Sequence, residues 1–140
     1  MIKQISVFVE NKKGRLARIT DVLGLEGIDL VALSIADTTN FGIMRCIVNN
    51  PDKAITVLKQ NGFTASMTEV IVAEVPDRPG GLASILKMLD EAGISVEYLY
   101  SFVRTPSQNA LILFRVEDIK GTMEALKNSD VRLLEESDIY

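Results

Sequence analysis

Asn11-Lys12-Lys13-Gly14-Arg15-Leu16-Ala17 returns 66 residues further on as Asp77-Arg78-Pro79-Gly80-Gly81-Leu82-Ala83. At the same offset Leu16, Ile19, Leu23, Gly27 and Ile28 meet Leu82, Ile85, Leu89, Gly93 and Ile94. After a two-residue insertion the match resumes at offset 68, where Ile43, Val48 and Leu58 meet Leu111, Val116 and Leu126. A repeat of this length is a domain-sized unit, longer than the roughly 20–50 residues of a solenoid module. The chain of 140 residues therefore reads as two domains, 1–68 and 69–140. Units of about 70 residues bury only a limited core, so each is expected to need a neighbour to pack against.

Working outward from the repeated turn, Lys3 to Val9 alternates with Ile5, Val7 and Val9 on one face, the pattern of a strand. Leu16, Ile19, Val22 and Leu23 then form one apolar stripe on a helix from Arg15 to Glu26, with Gly27 placed as a left-handed C-cap. Strands follow from Ile28 to Ala36 and from Gly42 to Val48, joined by a hairpin loop over Asp37-Thr38-Thr39-Asn40. Asn49-Asn50-Pro51-Asp52 supplies a cap and an N-terminal proline for a second helix from Asp52 to Gln60, which stops at Asn61-Gly62. A short strand, Phe63 to Thr68, closes the half. The second half repeats the order: strand Val70 to Val75, helix Gly81 to Ala92, strand Ile94 to Val103, loop Arg104 to Gln108. Strand Asn109 to Val116, helix Ile119 to Asn128 and a last strand from Val131 to Leu134 complete it. This is β-α-β-β-α-β twice, which predicts an α+β fold of two tandem ferredoxin-like units, each an antiparallel sheet with helices on one face.

Between the halves, Phe63, Ala65 and Met67 are read as one phase of alternation and Ile71, Ala73 and Val75 as the other, with a slip between Met67 and Val70. No Gly-, Pro- or Ser-rich spacer intervenes, so a rigid junction is expected. Val70-Ile71-Val72-Ala73 and Leu111-Ile112-Leu113-Phe114 are apolar on both strand faces. Helices cover only one face, so the other is expected against a second sheet or a symmetry mate, and a homodimer is predicted.

Composition narrows the chemistry. The net charge of −4 argues against a nucleic-acid surface, which needs stripes of Lys and Arg. No apolar run approaches the roughly 18 residues of a membrane span, and the N-terminus opens on strand-like sequence. One cysteine, Cys46, excludes an internal disulfide and fits a reducing, cytoplasmic setting. The absence of histidine removes the commonest general base and metal ligand. The expectation is a protein that is not an enzyme, with no catalytic residues, metal or cofactor.

The β-α-β-β-α-β unit with Asp77-Arg78-Pro79-Gly80-Gly81-Leu82 at its first turn resembles the ACT domain family, small regulatory modules that bind amino acids. The resemblance covers the whole chain as two repeats with no catalytic domain attached. The second half carries the acid, proline and glycine of the motif, then Gly93-Ile94 leading into a strand. In the first half Asn11 stands for the acid and Lys13 for the proline, while Gly14, Leu16, Gly27 and Ile28 are kept. Asp29 and Ser95 occupy the place where the family often has Asn. The resemblance implies that amino acids bind at interfaces between modules, and that a separate enzyme, transporter or regulator reads the bound state.

The residues themselves suit a carboxylate. Gly14, Gly80 and Gly81 let a ligand approach the backbone closely. Their N–H groups, with those of Arg15, Leu16 and Leu82, are expected to be unpaired at a helix N-terminus of partial positive charge. Asn11 and Asp77 accept from a ligand ammonium or cap the helix, and Asp29 and Ser95 reach the ligand across a domain interface. With Pro79, these residues are the candidate ligand site. Each also has a plainer reading: the glycines as tight turns, Arg15 and Arg78 as solvated charges, Leu16 and Leu82 as core anchors. Tyr98, Tyr100 and Phe102 share one strand face and read as interface packing before pocket wall. Cys46 reads as a small buried apolar residue. The leading function is an amino-acid-binding regulator signalling to a separate partner. The alternatives are a ligand-free structural or oligomerisation subunit, or a small enzyme on a ferredoxin-like scaffold.

Overall fold

The computed structural model describes residues 1–38, 40–103 and 109–139. Thr39 of the expected hairpin and the expected loop from Arg104 to Gln108 lie outside them. The chain divides into two compact units, one of Lys3–Thr68 and one of Met1–Ile2 with Glu69–Tyr140.

In the first unit, β1 (Ile2–Glu10) leads to α1 (Arg15–Leu25), β2 (Leu30–Asp37), β3 (Phe41–Val48) and α2 (Pro51–Gln60). β3 lies between β1 and β2 and pairs antiparallel with both. Phe8 N–H donates to Thr64 O (2.9 Å), which brings the chain beside β1 as it enters β4 (Ala65–Val75). The odd positions of β1, Ile5, Val7 and Val9, join Met44, Cys46 and Val48 beneath Ile19, Leu23, Ala54 and Leu58 of the two helices. This is the alternation of a half-covered strand meeting the 3.6-residue stripe of an amphipathic helix.

The second unit repeats the plan with α3 (Gly81–Glu91), β5 (Val96–Ser101), β6 (Ala110–Val116), α4 (Ile119–Leu126), β7 (Arg132–Leu133) and a short α5 (Glu136–Ile139). Its antiparallel order is β5-β6-β4-β7. Ile71, Ala73, Val75, Ile112, Phe114 and Val116 form the floor, and Ile85, Leu89 and Leu126 pack on it from the helices. Both units are therefore the tandem ferredoxin-like α+β fold that the pattern predicts.

The differences in detail have local causes. β4 is one strand of eleven residues, where two strands and a slip are expected. Phe63, Ala65, Met67, Ile71, Ala73 and Val75 are all odd-numbered, so a single period-2 register serves them and no slip is needed. β2 and β5 start two residues later than expected because Ile28 and Ile94 still belong to the helix ends. Ile28 N–H donates to Leu23 O and Ile94 N–H to Leu89 O (both 2.9 Å), closing a Schellman turn behind Gly27 and Gly93 at φ 70° and 73°. α4 stops at Leu126 rather than Asn128, because the Ser129 hydroxyl donates to Leu126 O (2.6 Å). α5 has no counterpart in the sequence reading. It is set up by Asp138, whose carboxylate accepts from Glu135 N–H (2.8 Å) and from Arg132 (2.9 Å).

Val70, Val72, Leu111 and Leu113, on the face of the second sheet turned away from its helices, are buried within the single chain. Tyr98 and Tyr100 stack with ring centroids 6.4 Å apart, and Tyr100 and Phe102 are buried, which is packing rather than an open stacking surface. No helix among the described residues is long and apolar enough to cross a membrane.

Cys46 is fully buried in the first core, and burial pushes its thiol up to about 12 from an ordinary 9.0. The reactive thiolate is then absent at neutral pH. A thiol reagent at pH 8 is expected to leave the native protein unlabelled and to modify Cys46 once denaturant unfolds it. Equal labelling rates in the two states would contradict a buried Cys46.

Candidate functional site

Each repeated turn ends in a left-handed glycine that serves as helix N-cap, Gly14 at φ 86° and Gly80 at φ 84°. An L side chain is disfavoured at such angles, which is why glycine stands there. The glycine carbonyl accepts the first intrahelical bond, from Arg18 N–H in one unit and Ser84 N–H in the other (both 3.0 Å). No side chain caps either helix, so Asn11 and Asp77 do not act as caps.

Two of the amides expected to be unpaired are occupied. Arg15 N–H donates to Lys12 O (3.3 Å) and Gly81 N–H to Arg78 O (3.0 Å), which folds each turn back on itself. Leu16 and Leu82, one residue further in, are second positions of their helices, and the carbonyls four residues back, those of Lys12 and Arg78, accept from Arg15 and Gly81 instead. Among the described residues no backbone acceptor takes up either amide. These two donors, rather than those of Arg15 and Gly81, keep hydrogen-bonding capacity at the positive end of the helix.

In the first unit a cavity of about 220 Å³ adjoins the turn, lined by Glu10, Asn11, Lys12, Arg15 and Leu16 with Ile35, Asp37 and Gly42. Asn11, Arg15 and Leu16 are thus brought together as expected. Ile35, Asp37 and Gly42 were not anticipated, because strand pairing carries them to the turn: β1–β3 sets Gly42 opposite Val9, and β2–β3 brings Ile35 and Asp37 alongside. Arg15 is half-buried rather than a free surface charge. Its guanidinium contacts Glu10 (2.9 Å) and lies 5.7 Å from the centre of the Phe63 ring. Asp29 is not part of this cavity: it precedes β2, whose eight residues span about 25 Å to Asp37. Its backbone N–H donates instead to Asn49 Oδ1 (3.0 Å).

In the second unit a larger cavity of about 650 Å³ lies beside the turn. Of the candidate residues only Gly81 lines it; Arg78, read from the sequence as a solvated charge, lines it too, with Glu74, Ser84, Met88, Asn128, Asp130 and Arg132. Asp77, Pro79, Gly80, Leu82 and Ser95 do not line it. The added residues follow no motif. They converge because α3, the end of α4 and the β4–β7 pair meet there, and no spacing in the sequence announces that meeting. Among the described residues no group of three or more His, Cys, Asp or Glu could hold a metal ion.

Lys12 and Arg15 both hydrogen-bond Glu10 and hold its carboxyl below the ordinary value of 4.5. The contribution of these contacts is present above that value and fades as pH falls through the lowered one. An NMR titration is expected to place the Glu10 midpoint below 4.5, and Lys12→Ala to move it back upward; a midpoint unmoved by that substitution would show the contacts to be idle.

The two adjacent glycines of the second turn should fail differently. Gly80→Ala meets nothing within 4 Å and suffers only the left-handed backbone, about 1–2 kcal/mol. A Cβ on Gly81 would stand 2.1 Å from Pro76 O, a backbone overlap that must shift the turn. Gly81→Ala is expected to cost at least as much, in the range of about 1–3 kcal/mol, and to distort the turn as well. Urea unfolding measures both. A Gly81→Ala protein as stable as the wild type would refute the close approach.

The sequence matches the family described as an ACT domain pair over residues 1–140. Among solved structures it is similar to protein BT0572 from Bacteroides thetaiotaomicron, with 43% identity, 99% of this chain and 95% of that chain covered, and a TM-score of 0.91. The regulatory subunit of aspartate kinase from Thermus thermophilus, in a ligand-free form, shares the fold at 15% identity, with 92% and 93% of the two chains covered and a TM-score of 0.68. The corresponding subunit from Thermus flavus does so at 14% identity, with 89% and 90% covered and a TM-score of 0.62. No curated protein matches this chain. Two ferredoxin-like units, each opened by a left-handed glycine turn and matched end to end by the family, leave one conclusion: the chain belongs to the ACT domain pair family.

Proposed function

We propose that this chain is a regulatory protein without catalysis of its own, binding a free amino acid or a similar small carboxylate beside its glycine turns and signalling occupancy to a separate protein partner. The observation that carries this reading is the duplicated turn. A left-handed glycine precedes an uncommitted helix amide, at Leu16 and at Leu82, and a cavity lies beside each turn. The second turn is favoured for its acid-proline-glycine motif and its larger cavity.

Asp29 and Ser95, placed before the second strand of their units, contribute in this reading from another copy of the chain. A homodimer is supported by the exposed Leu16 and Ile35 of the first unit, apolar surface lining the smaller cavity, and by the exposed Leu33 two residues before Ile35 on the same strand. Family membership supports a role in which ligand changes the packing of one module against its neighbour. The reduced, buried Cys46 fits a cytoplasmic protein.

Titration calorimetry and thermal melts with the twenty amino acids test the proposal. A ligand at a hundredfold excess over its Kd stabilises the native state by about 2.7 kcal/mol, a rise of several degrees in Tm. At least one amino acid is expected to give heat and that shift. No heat and no shift with any of them at millimolar concentration would favour the structural-subunit alternative.

A further inference from the structure

The two repeats carry different side chains at three equivalent positions around one place in the fold. In the first unit Phe63 is buried where the chain turns from α2 toward β4, and the guanidinium carbons of Arg15 and Arg18 lie 5.7 and 5.8 Å from the centre of its ring. Two cations stacked on one aromatic ring close that space with their own bulk. At the repeat offsets of 66 and 68, Arg15, Arg18 and Phe63 become Gly81, Ser84 and Val131. The backbone frame is retained. Ser84 N–H bonds Gly80 O as Arg18 N–H bonds Gly14 O, and Arg132 pairs with Glu74 where Thr64 meets Phe8. With the three large groups gone, the groove between α3 and the end of α4 opens to the cavity of about 650 Å³, within the usual range of about 300–1,000 Å³ for small-molecule sites.

The lining has a definite chemistry. Ile85, Met88 and Val131 provide an apolar wall. Arg132 is already neutralised, by Glu74 (3.6 Å) and Asp138 (2.9 Å). Arg78 and Asp130 line the same groove, and among the described residues neither is ion-paired. One free cation, one free carboxylate and an apolar wall complement a zwitterion that carries an apolar side chain.

We propose that this groove is a ligand pocket specific to the second unit, taking one α-amino acid with an apolar side chain per chain, and that Phe63, Arg15 and Arg18 keep the equivalent groove of the first unit shut. The ligand carboxylate goes to Arg78 and its ammonium to Asp130. The assignment rests on the amino-acid-binding reading above and narrows it to one class of ligand and one place.

The test returns the first unit's plug to the second. Calorimetry with the twenty amino acids on the wild type, and with L-leucine, L-methionine and L-phenylalanine on all three proteins, compares the wild type, Arg78→Ala and the double variant Ser84→Arg/Val131→Phe, with circular dichroism and melts to verify folding. The wild type is expected to bind at least one of these at one site per chain. Both variants are expected to weaken that binding at least tenfold while remaining folded. Should the double variant not fold, the exposed Arg78→Ala alone decides. Undiminished binding in a folded double variant or in Arg78→Ala overturns the groove and leaves amino-acid binding at the turn intact. Binding of polar amino acids alone overturns the apolar class. No binding of any of the twenty to the wild type overturns this proposal and the broader reading together.

Discussion

The left-handed glycine between the first strand and first helix of each repeat is the constraint on which the rest depends. At φ 86° and 84°, Gly14 and Gly80 turn the chain out of the sheet sharply enough for the next residues to start a helix immediately. Each glycine carbonyl takes the first helical hydrogen bond, which sets the phase of α1 and α3. That phase delivers Ile19 and Leu23, or Ile85 and Leu89, onto the sheet below. The same turn leaves one helix amide uncommitted, so the device that builds the fold also leaves a hydrogen-bond donor at the positive end of each helix.

From this shared frame the repeats diverge through side chains rather than backbone. The first turn is drawn together by charge, with Glu10 held between Lys12 and Arg15, and the guanidinium groups of Arg15 and Arg18 both lie against the Phe63 ring. The second turn contains no such cluster. Gly81 is pressed so closely against Pro76 that no side chain fits, and the surrounding helices stand over open space. The duplicated units differ in this way because their core positions are retained while the positions around the groove are not.

Family membership and this asymmetry bear on different questions. The ACT domain pair match extends over the whole sequence and concerns the frame, the repeated order of strands and helices with its glycine turns. The asymmetry is a property of particular residues in this chain. Regulation by a small ligand needs a site whose occupancy alters packing, and a groove bounded by two helices and a strand end can transmit a small shift to both.

Much of the fold was legible in the sequence because it is written in local periodicity. Ile5, Val7 and Val9 alternate, Leu16, Ile19 and Leu23 recur at helical spacing, and Gly27 and Gly93 stop the helices where a positive φ is required. The continuity of β4 was equally present in its odd-numbered apolar positions, though it was divided in the reading. The candidate site was legible only in part. Gly14, Gly80 and the amides behind them belong to a contiguous motif, whereas Asp37, Asp130 and Arg132 reach their cavities through strand pairing and helix packing. The sequence by itself determined the repeat, the order of elements and the glycine turns, since each depends on residues within a few positions of one another. Only the tertiary structure decided which turn amides stay free and which groove is open. The amides are decided by the backbone bonds of Arg15 to Lys12 and Gly81 to Arg78, and the grooves by side chains far apart in the chain, Phe63 with Arg15 and Arg18, Val131 with Gly81 and Ser84.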